Sequence, residues 1–170
     1  MKLHFSLLSE GVGKSERQGF SCGMPELDAY LHRQASQDVA RGFATVVLAR
    51  IVDEPAAISG YYAFSAASVP IVSLPAEAAG KMPRYQNVPA ILLGRLAVAR
   101  SMQNHRIGSL LLFDALKRAC VSEIAWAAFL VEAKNERAAA FYEKFGFLRF
   151  HHTRHSLWIT RKQAENLIRA

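Results

Sequence analysis

Apolar residues recur along the first half of the chain with two different spacings. Over residues 25–40 they return every three to four positions, which predicts an amphipathic helix, and Pro25 suits its first turn. Residues 43–51 and 57–65 are instead β-branched, aromatic and apolar, which predicts two strands. A short polar stretch over 52–55 separates them, so we expect a tight turn between the strands.

The rest of the chain alternates apolar runs with polar or proline-rich connections. Residues 69–89 contain four prolines, so we expect a long irregular segment there. The later pattern predicts, in order, a strand over 90–99, a polar loop over 101–106, a helix over 107–121, a buried strand over 124–133, a helix over 136–145, short strands over 147–150 and 156–159, and a final helix over 161–168. This mixed order predicts an α+β fold in which helices cover a central sheet.

Length and composition are typical of one globular domain, so we take residues 1–170 as a single domain. Hydrophobic residues make up 51% of the chain, but no apolar run reaches the ~18 residues that a membrane span needs. Residues 1–10 lack the pattern of a signal peptide, and two isolated cysteines, Cys22 and Cys120, make neither a disulfide framework nor a zinc site. We therefore expect a cytoplasmic protein without a metal.

The charge of the chain is positive and unevenly distributed. The net charge is +7, of which residues 1–100 contribute +2 and residues 101–170 contribute +5. A positive field attracts polyanions, so a nucleotide cofactor or a nucleic acid is a natural partner. A surface that is merely basic and soluble would give the same balance, and charge alone does not separate the two interpretations.

A strand, a polar loop and a helix follow one another over residues 90–121. Such a connection can bind an anion, because the first amides of a helix lack partners and the helix dipole is positive at that end. Gly108 would let a phosphate approach the backbone closely. The same pattern describes an ordinary strand-to-helix connection, so the physical argument leaves both interpretations open.

This connection resembles the pyrophosphate loop of the GNAT acetyltransferases. The family pattern is Gln or Arg, two residues, Gly, any residue, then Gly or Ala; Gln103 and Gly108 match it, and Arg106 replaces the middle glycine. The resemblance implies acetyl-CoA as co-substrate and a strand that lends backbone groups to its pantetheine arm. The cofactor-binding residues implied here are Leu96, Ala97, Val98, Gln103, Asn104, His105, Arg106, Ile107, Gly108 and Ser109.

Residues 135–147 form a second motif, a helix that Asn135 can cap and Gly146 can end. The segment resembles the GNAT pattern Asn, two residues, Ala, two residues, Phe-Tyr, three residues, Gly-Phe, and every named position matches. The resemblance implies that Tyr142 is the catalytic general acid for the leaving CoA thiolate, and a phenol with a pKa near 10 suits that task. It also implies that Asn135 and Tyr142 contact acetyl-CoA. A core aromatic is the alternative interpretation of Tyr142.

A general base is harder to find. The strand predicted over residues 90–99 ends without an acid, and Glu132 is the only carboxylate of the next strand. Glu132 could instead be an ion-pair partner of Lys134 or Arg137. An α-amino group has a pKa of about 7.7–8.0, against about 10.4 for lysine, so an α-amine needs less help from a base. The sequence therefore favours an α-amine as acceptor.

Further segments resemble one GNAT subgroup, the toxins of bacterial toxin–antitoxin modules that acetylate the α-amine of aminoacyl-tRNA. These segments are residues 20–31, 60–62, 81–85 and 92–98. The resemblance implies the GNAT fold, a mixed and mostly antiparallel twisted sheet with helices on both faces. It also implies an N-acetyltransferase that blocks translation, a ribbon-helix-helix antitoxin as partner, and a homodimer. The alternatives are a GNAT enzyme for a small amine or protein N-terminus, and a degenerate GNAT fold that only binds a partner.

Overall fold

A computed structural model describes every residue from Met1 to Ala170. The strands are β1 Leu3–Leu7, β2 Thr45–Ile51, β3 Gly60–Pro70, β4 Asn87–Val98, β5 Ala128–Glu132, β6 Leu148–Arg149 and β7 Ser156–Thr160. The helices are α1 Lys14–Gln18, α2 Pro25–Ala29, α3 Ala35–Ala40, α4 Ala76–Ala79, α5 Ile107–Val121, α6 Glu136–Glu143 and α7 Arg161–Arg169. Shorter turns are π-helical over Tyr30–Gln34 and 3-10 over Leu8–Glu10, Ile71–Ser73 and Arg100–Met102.

All seven strands belong to one sheet, in the order β1-β2-β3-β4-β5-β7-β6. One neighbouring pair, β4 and β5, runs parallel, with Ala90 opposite Ala128 and Leu93 opposite Val131. The pairs β1–β2, β2–β3, β5–β7 and β6–β7 are antiparallel. The prediction of an α+β fold with a mixed, mostly antiparallel sheet is therefore confirmed.

The chain packs as two compact units, one of residues 1–65 and 94–115, the other of residues 66–93 and 116–170. Strands β3 and β4 each contribute residues to both units. The first unit carries 9 basic and 8 acidic side chains, and the second carries 12 and 6. Of the net charge of +7, the second unit therefore holds +6.

In the first unit, neighbouring residues of β3 meet helices on opposite faces of the sheet. A Cβ atom on Gly60 would lie 2.9 Å from Leu111 Cδ1, so this face packs against α5. Tyr61 points to the other face, where its hydroxyl donates to the Leu27 carbonyl of α2 at 2.7 Å. Successive side chains of a strand alternate between faces. The expectation of helices on both faces is thus confirmed for this unit.

The helix predicted over residues 25–40 is present, but it is not α-helical throughout. The π-helical turn Tyr30–Gln34 separates α2 from α3. The buried Arg17 of α1 donates from Nη1 to the Leu31 carbonyl within this turn at 3.3 Å. A π-helical turn departs from the regular i to i−4 pairing and occurs often at functional sites. The apolar spacing over residues 25–40 does not distinguish a π-helical turn from a regular α-helix.

In the second unit, the connection over residues 69–89 is more regular than predicted. Strand β3 continues to Pro70, β4 begins at Asn87, and the short helix α4 lies between them, so the prediction is wrong at both ends. The Ile71 amide donates to the Gln86 carbonyl at 2.9 Å, which continues the pairing beyond the strands. The buried Leu74 packs in a core with Trp158, and this contact fixes the connection despite its prolines.

Other bounds differ at the ends of elements. The strand predicted over 124–133 begins only at Ala128, because the chain before it turns to place the Trp126 ring at the end of α5, where Nε1 donates to the Ala119 carbonyl at 2.8 Å. The sequence pattern predicts neither strand β1 nor helix α1. None of the helices combines the length and the apolar character that crossing a membrane would require.

The close approach at Gly60 predicts how a larger residue at this position changes the stability of the protein. An added Cβ would lie 2.9 Å from the Ala97 carbonyl oxygen, which is backbone and unable to move aside. We expect Gly60→Ala to lower the free energy of unfolding by about 1–3 kcal/mol, the usual cost of overpacking. Gly94→Ala is the matched control, since its Cβ would meet no atom within 4 Å. Urea denaturation of both variants measures the difference, and equal stabilities would contradict the steric argument.

Candidate acetyl-CoA site

The polar loop after β4 has a backbone that ordinary side chains rarely adopt. Asn104 and Arg106 are the two non-glycine residues of the chain with positive φ, at 68° and 61°. Asn accepts this left-handed region readily, whereas Arg does not. Arg106 occupies the position at which the GNAT loop pattern has its middle glycine. The backbone at Arg106 therefore keeps the conformation that a glycine would favour, and its side chain is exposed.

This loop leads directly into the first turn of α5. The amides of Ser109 and Leu110 donate to the Arg106 carbonyl at 3.1 and 3.2 Å. The amides of Ile107 and Gly108 come before them in the first turn, where helix geometry offers no i−4 partner. The Ile107 side chain is buried and anchors the turn. A phosphate group could accept hydrogen bonds from these amides at the positive end of the helix dipole.

Gln103 ties the loop to two backbone segments. Its side-chain nitrogen donates to the Cys22 carbonyl at 2.8 Å and to the Val98 carbonyl at 3.3 Å. The Gln103 carbonyl in turn meets His105 Nδ1 at 2.9 Å. The nitrogen of this predicted cofactor ligand is thus engaged in holding the loop against the end of β4. In this structure the Gln103 side chain positions the loop.

In the second unit, helix α6 carries the other predicted residues. Asn135 caps the helix, as predicted: its Oδ1 accepts a hydrogen bond from the Ala138 amide at 2.9 Å. Gly146 follows the helix with φ of +83°, a conformation suited to glycine. The Asn135 side chain is otherwise exposed, so its amide nitrogen is accessible to a ligand.

Tyr142 is buried in the same helix, with 5% of its surface exposed. Its ring packs edge-on against Phe141 and tilted against Phe147, at centroid distances of 5.1 and 5.6 Å. Burial raises the pKa of the Tyr142 phenol above its ordinary value, because the charged phenolate would lose its hydration. The hydroxyl therefore stays protonated through the neutral pH range, as a proton donor must.

An ion-pair cluster fixes α6 to the β6–β7 hairpin. Arg149 contacts Glu143 at 2.6 Å and Glu136 at 2.9 Å, so one guanidinium bridges both ends of the helix. His155 Nε2 lies 3.2 Å from Glu136 as well. Hydrogen bonds from Arg149 hold the pKa of both carboxyl groups below their ordinary value. Because the Arg149 side chain is about one third exposed, solvent screens these pairs, and their value lies in orienting the helix.

The structure distributes the predicted residues over both units. The strand and loop residues, from Leu96 to Ser109, belong to the first, and Asn135 and Tyr142 belong to the second. Glu132, the weak candidate for a base, is exposed at the end of β5. A cleft of about 650 Å³ in the first unit is lined by residues such as Phe20, Ser21, Ala99, Arg100 and Ser101, and by none of the predicted site residues.

Comparison with known proteins decides the family. Residues 69–149 match the family model described as an acetyltransferase (GNAT) domain. A tRNA-acetylating toxin of Mycobacterium tuberculosis (strain ATCC 25618 / H37Rv) is 39% identical over 135 residues, which cover 75% of this chain and 75% of that protein. The chain belongs to the GNAT acetyltransferases. It is therefore an acetyl-CoA-dependent acetyltransferase.

Solved structures of similar fold cover nearly the whole of this GNAT chain. AtaT complexed with acetyl-methionyl-tRNAfMet has a TM-score of 0.86 at 25% identity, covering 98% of this chain and 99% of that one. AtaTR bound with acetyl-CoA has a TM-score of 0.82 at 26% identity, covering 97% of each chain. The GNAT fold expected from the two sequence motifs is confirmed.

Two features of this GNAT enzyme were missed by the sequence motifs. One is the Arg149 cluster, whose paired members are 6 to 19 residues apart in sequence and meet only in the folded hairpin. The other is Arg95, a charged residue in the otherwise apolar run over 90–99. A charge inside an apolar strand is the signal that could have drawn attention to it.

Arg106 supplies the next prediction. Arg106→Gly should raise the free energy of unfolding by roughly 0.5–1 kcal/mol, since relief of the left-handed strain outweighs the flexibility that glycine adds to the unfolded chain. The affinity for acetyl-CoA should stay within about tenfold, because the exposed side chain does not fill the loop.

Asn104→Gly is the control for this prediction. Asn104 shares the positive φ but tolerates it, so the gain in stability should be smaller. Thermal unfolding gives the stabilities, and calorimetric titration with acetyl-CoA gives the affinities. A large gain in affinity for Arg106→Gly would show that the natural side chain obstructs the loop.

Proposed function

We propose that this enzyme transfers the acetyl group of acetyl-CoA to the α-amine of an aminoacyl-tRNA, and that it blocks translation as the toxin of a toxin–antitoxin pair. The observation that carries the proposal is the 39% identity to a tRNA-acetylating toxin over three quarters of both chains. The charge distribution supports it, because the second unit alone holds +6. A polyanionic substrate is attracted by such a field, whereas a small neutral amine gains nothing from it.

We assign the cofactor-binding roles to two groups of residues. The first group follows β4 into α5 and comprises Leu96, Ala97, Val98, Gln103, Asn104, His105, Arg106, Ile107, Gly108 and Ser109. The second group is Asn135 and Tyr142 on α6. The free first-turn amides of α5 support a pyrophosphate contact, and the exposed amide nitrogen of Asn135 supports a contact with the pantetheine arm.

The proposed chemistry needs one acid. The neutral α-amine attacks the thioester carbonyl, a C–N bond forms, and the C–S bond breaks to release the CoA thiolate. Tyr142 gives its phenolic proton to the sulfur, and the proton lost from the nitrogen passes to water and restores the phenol. A phenol is protonated at neutral pH, and burial raises the pKa of Tyr142 further, so its proton is present when the thiolate forms. An α-amine is largely neutral near pH 8, so no strong base is required.

Several finer assignments belong to the same proposal. We place the protein in the cytoplasm, where its substrate is made, and take residues 1–170 as one acetyltransferase domain. We expect a homodimer and an antitoxin of the ribbon-helix-helix class. A complex of AtaT with the C-terminus of the antitoxin AtaR is one of the similar folds, with a TM-score of 0.81 at 22% identity.

Acetyl-CoA should bind the folded protein and raise its melting temperature. A ligand that binds only the folded state stabilises it by about 2.7 kcal/mol at 100 times its Kd. Differential scanning fluorimetry with acetyl-CoA, and with acetate as control, measures the shift. Absence of any shift at millimolar acetyl-CoA would remove the enzyme interpretation. If acetyl-CoA binds but mass spectrometry finds no acetylated aminoacyl-tRNA, the acceptor is a different amine.

Tyr142→Phe should lower turnover by a factor on the order of 10²–10⁴, the usual contribution of a positioned acid. The ring keeps its packing on Phe141 and Phe147, so the fold and the Kd for acetyl-CoA should remain nearly unchanged. Single-turnover acetylation and thermal unfolding are measured on the same purified variant. In cells, the change should abolish any growth arrest that expression without the antitoxin causes.

Tyr85→Phe is the matched control, because Tyr85 is 71% exposed and undergoes the same chemical change. Its turnover should equal that of the unmodified enzyme. A purely structural role for the Tyr142 hydroxyl would give the opposite pattern, with lower stability and unchanged activity per folded molecule.

A further inference from the structure

Arg95 is a charged residue in the middle of an apolar strand. It lies in β4, one position before the three residues assigned to the pantetheine arm. Its guanidinium carbon sits 3.7 Å from the centroid of the Tyr30 ring, so the charged plane stacks on the aromatic face. Tyr30 itself is buried and opens the π-helical turn. The stack restrains the guanidinium against the ring, and the Arg95 residue remains partly exposed.

The support beneath this stack is rigid. The Tyr61 ring lies nearly parallel to the Tyr30 ring, at a centroid distance of 6.2 Å and an angle of 20°. Phe20 meets Tyr61 edge-on at 5.4 Å, and Tyr61 is anchored through its hydrogen bond to Leu27. A guanidinium and three rings therefore form one ladder within the first unit. Such an arrangement reduces the entropy that Arg95 loses when it binds a partner.

Two polar groups of the ladder, the Arg95 guanidinium and the Tyr30 hydroxyl, make no hydrogen bond of good geometry within the chain. Arg95 is half-buried, yet it makes neither an ion pair nor a side-chain hydrogen bond. The Tyr30 hydroxyl is buried and makes no hydrogen bond either. Burial, together with the Asp38 carboxylate, which lies close enough to interact with the hydroxyl, raises the pKa of Tyr30 to about 12. A buried donor without a well-aligned acceptor is costly in a native fold, and a half-buried guanidinium beside it keeps donors for a further partner, so the pair points to a ligand from outside the chain.

The chemistry of the pair selects an anion with several oxygen acceptors. A fixed guanidinium edge offers parallel N–H donors that match a phosphate, and the Tyr30 hydroxyl adds a donor. Strands rise by about 3.3 Å per residue, so Arg95 lies roughly 10 Å from the Val98 end of β4 where the loop begins. The phosphate that Arg95 would bind is therefore not the phosphate that the first turn of α5 would bind.

We infer that Arg95, stacked on Tyr30 and backed by Tyr61, binds a phosphodiester at the acceptor end of the nucleic-acid substrate. This inference rests on the proposed function, because it takes the acceptor to be an aminoacylated RNA. Arg95 thereby distinguishes an amine carried on RNA from a free amino acid or a small amine. The neighbouring strand residues Leu96, Ala97 and Val98 keep their assignment to the pantetheine arm.

The test compares two acceptors that differ in phosphate. One is aminoacyl-tRNA, and the other is a stable 3′-aminoacyl-adenosine that carries no phosphate. Arg95→Gln should lower kcat/KM for aminoacyl-tRNA roughly 10- to 100-fold, the range expected for a lost hydrogen-bonded charge. It should change kcat/KM for the aminoacyl-adenosine by less than about threefold. Arg33→Gln is the control, since it removes one exposed positive charge from the adjoining π-helical turn.

Two further variants separate binding from folding. Arg95→Lys keeps the charge but loses the planar fork, so kcat/KM for aminoacyl-tRNA should fall to an intermediate value. Tyr30→Phe keeps the stack and removes the hydroxyl, and should give a smaller loss on the same substrate. Thermal unfolding verifies that each variant is folded. The salt dependence of RNA binding should lose about one phosphate contact in Arg95→Gln and remain unchanged in Arg33→Gln.

Each contrary result has a distinct meaning. Equal losses on both acceptors, or an unchanged salt dependence, would overturn the phosphate contact. A raised KM for acetyl-CoA, with unchanged RNA binding, would assign Arg95 to a phosphate of the cofactor instead and overturn the inference. An unmodified enzyme that acetylates neither acceptor while binding acetyl-CoA would refute the proposed function itself, and the inference would fall with it.

Discussion

The close approach of Gly60 to the Ala97 carbonyl is the constraint on which much of the first unit depends. With no side chain at Gly60, β3 lies against β4 while Leu111 and Ile107 of α5 pack over the same point. That packing determines where α5 begins, and hence where its first amides are presented. The left-handed backbone at Asn104 and Arg106 then closes the short loop between strand and helix. The position of the loop and of the first turn of α5 therefore follows from a steric condition inside the sheet.

Three parts of helix α6, its first position, its buried side and its exposed side, make different contacts. Its first position is capped by Asn135, its buried side carries Tyr142 among aromatic rings, and its exposed side is bound to the hairpin through Arg149. The exposed ion pairs add little stability, since water and salt screen them. They do resist rotation of the helix, because one guanidinium bridges Glu136 and Glu143 at its two ends. An acid that must meet a leaving group benefits from such restraint, since small displacements of a catalytic group are costly.

Local pattern and motif spacing predicted much of the fold but less of the site. The bounds of α5 and the Asn135 cap were predicted correctly, because periodicity and capping chemistry are local properties. The segment over residues 69–89 was predicted as irregular, because its prolines signal breaks, whereas the burial of Leu74 is a tertiary contact that no local pattern contains. For the same reason, the sequence did not predict the π-helical turn, the side-chain hydrogen bonds of Gln103 or the Arg149 cluster. Each depends on residues brought together from separate parts of the chain.

The distribution of charge bears on the kind of acceptor independently of any single residue. The unit that carries Tyr142 holds +6, while the unit that carries the loop is nearly neutral at +1. An enzyme built only for acetyl-CoA would have most use for positive charge beside the loop, where the pyrophosphate is expected. The observed excess lies instead on the unit that carries Tyr142, the proposed acid. Long-range attraction of a polyanion accelerates encounter and does not depend on one contact. The charge therefore favours a nucleic acid as the carrier of the amine and gives a small free amine no advantage.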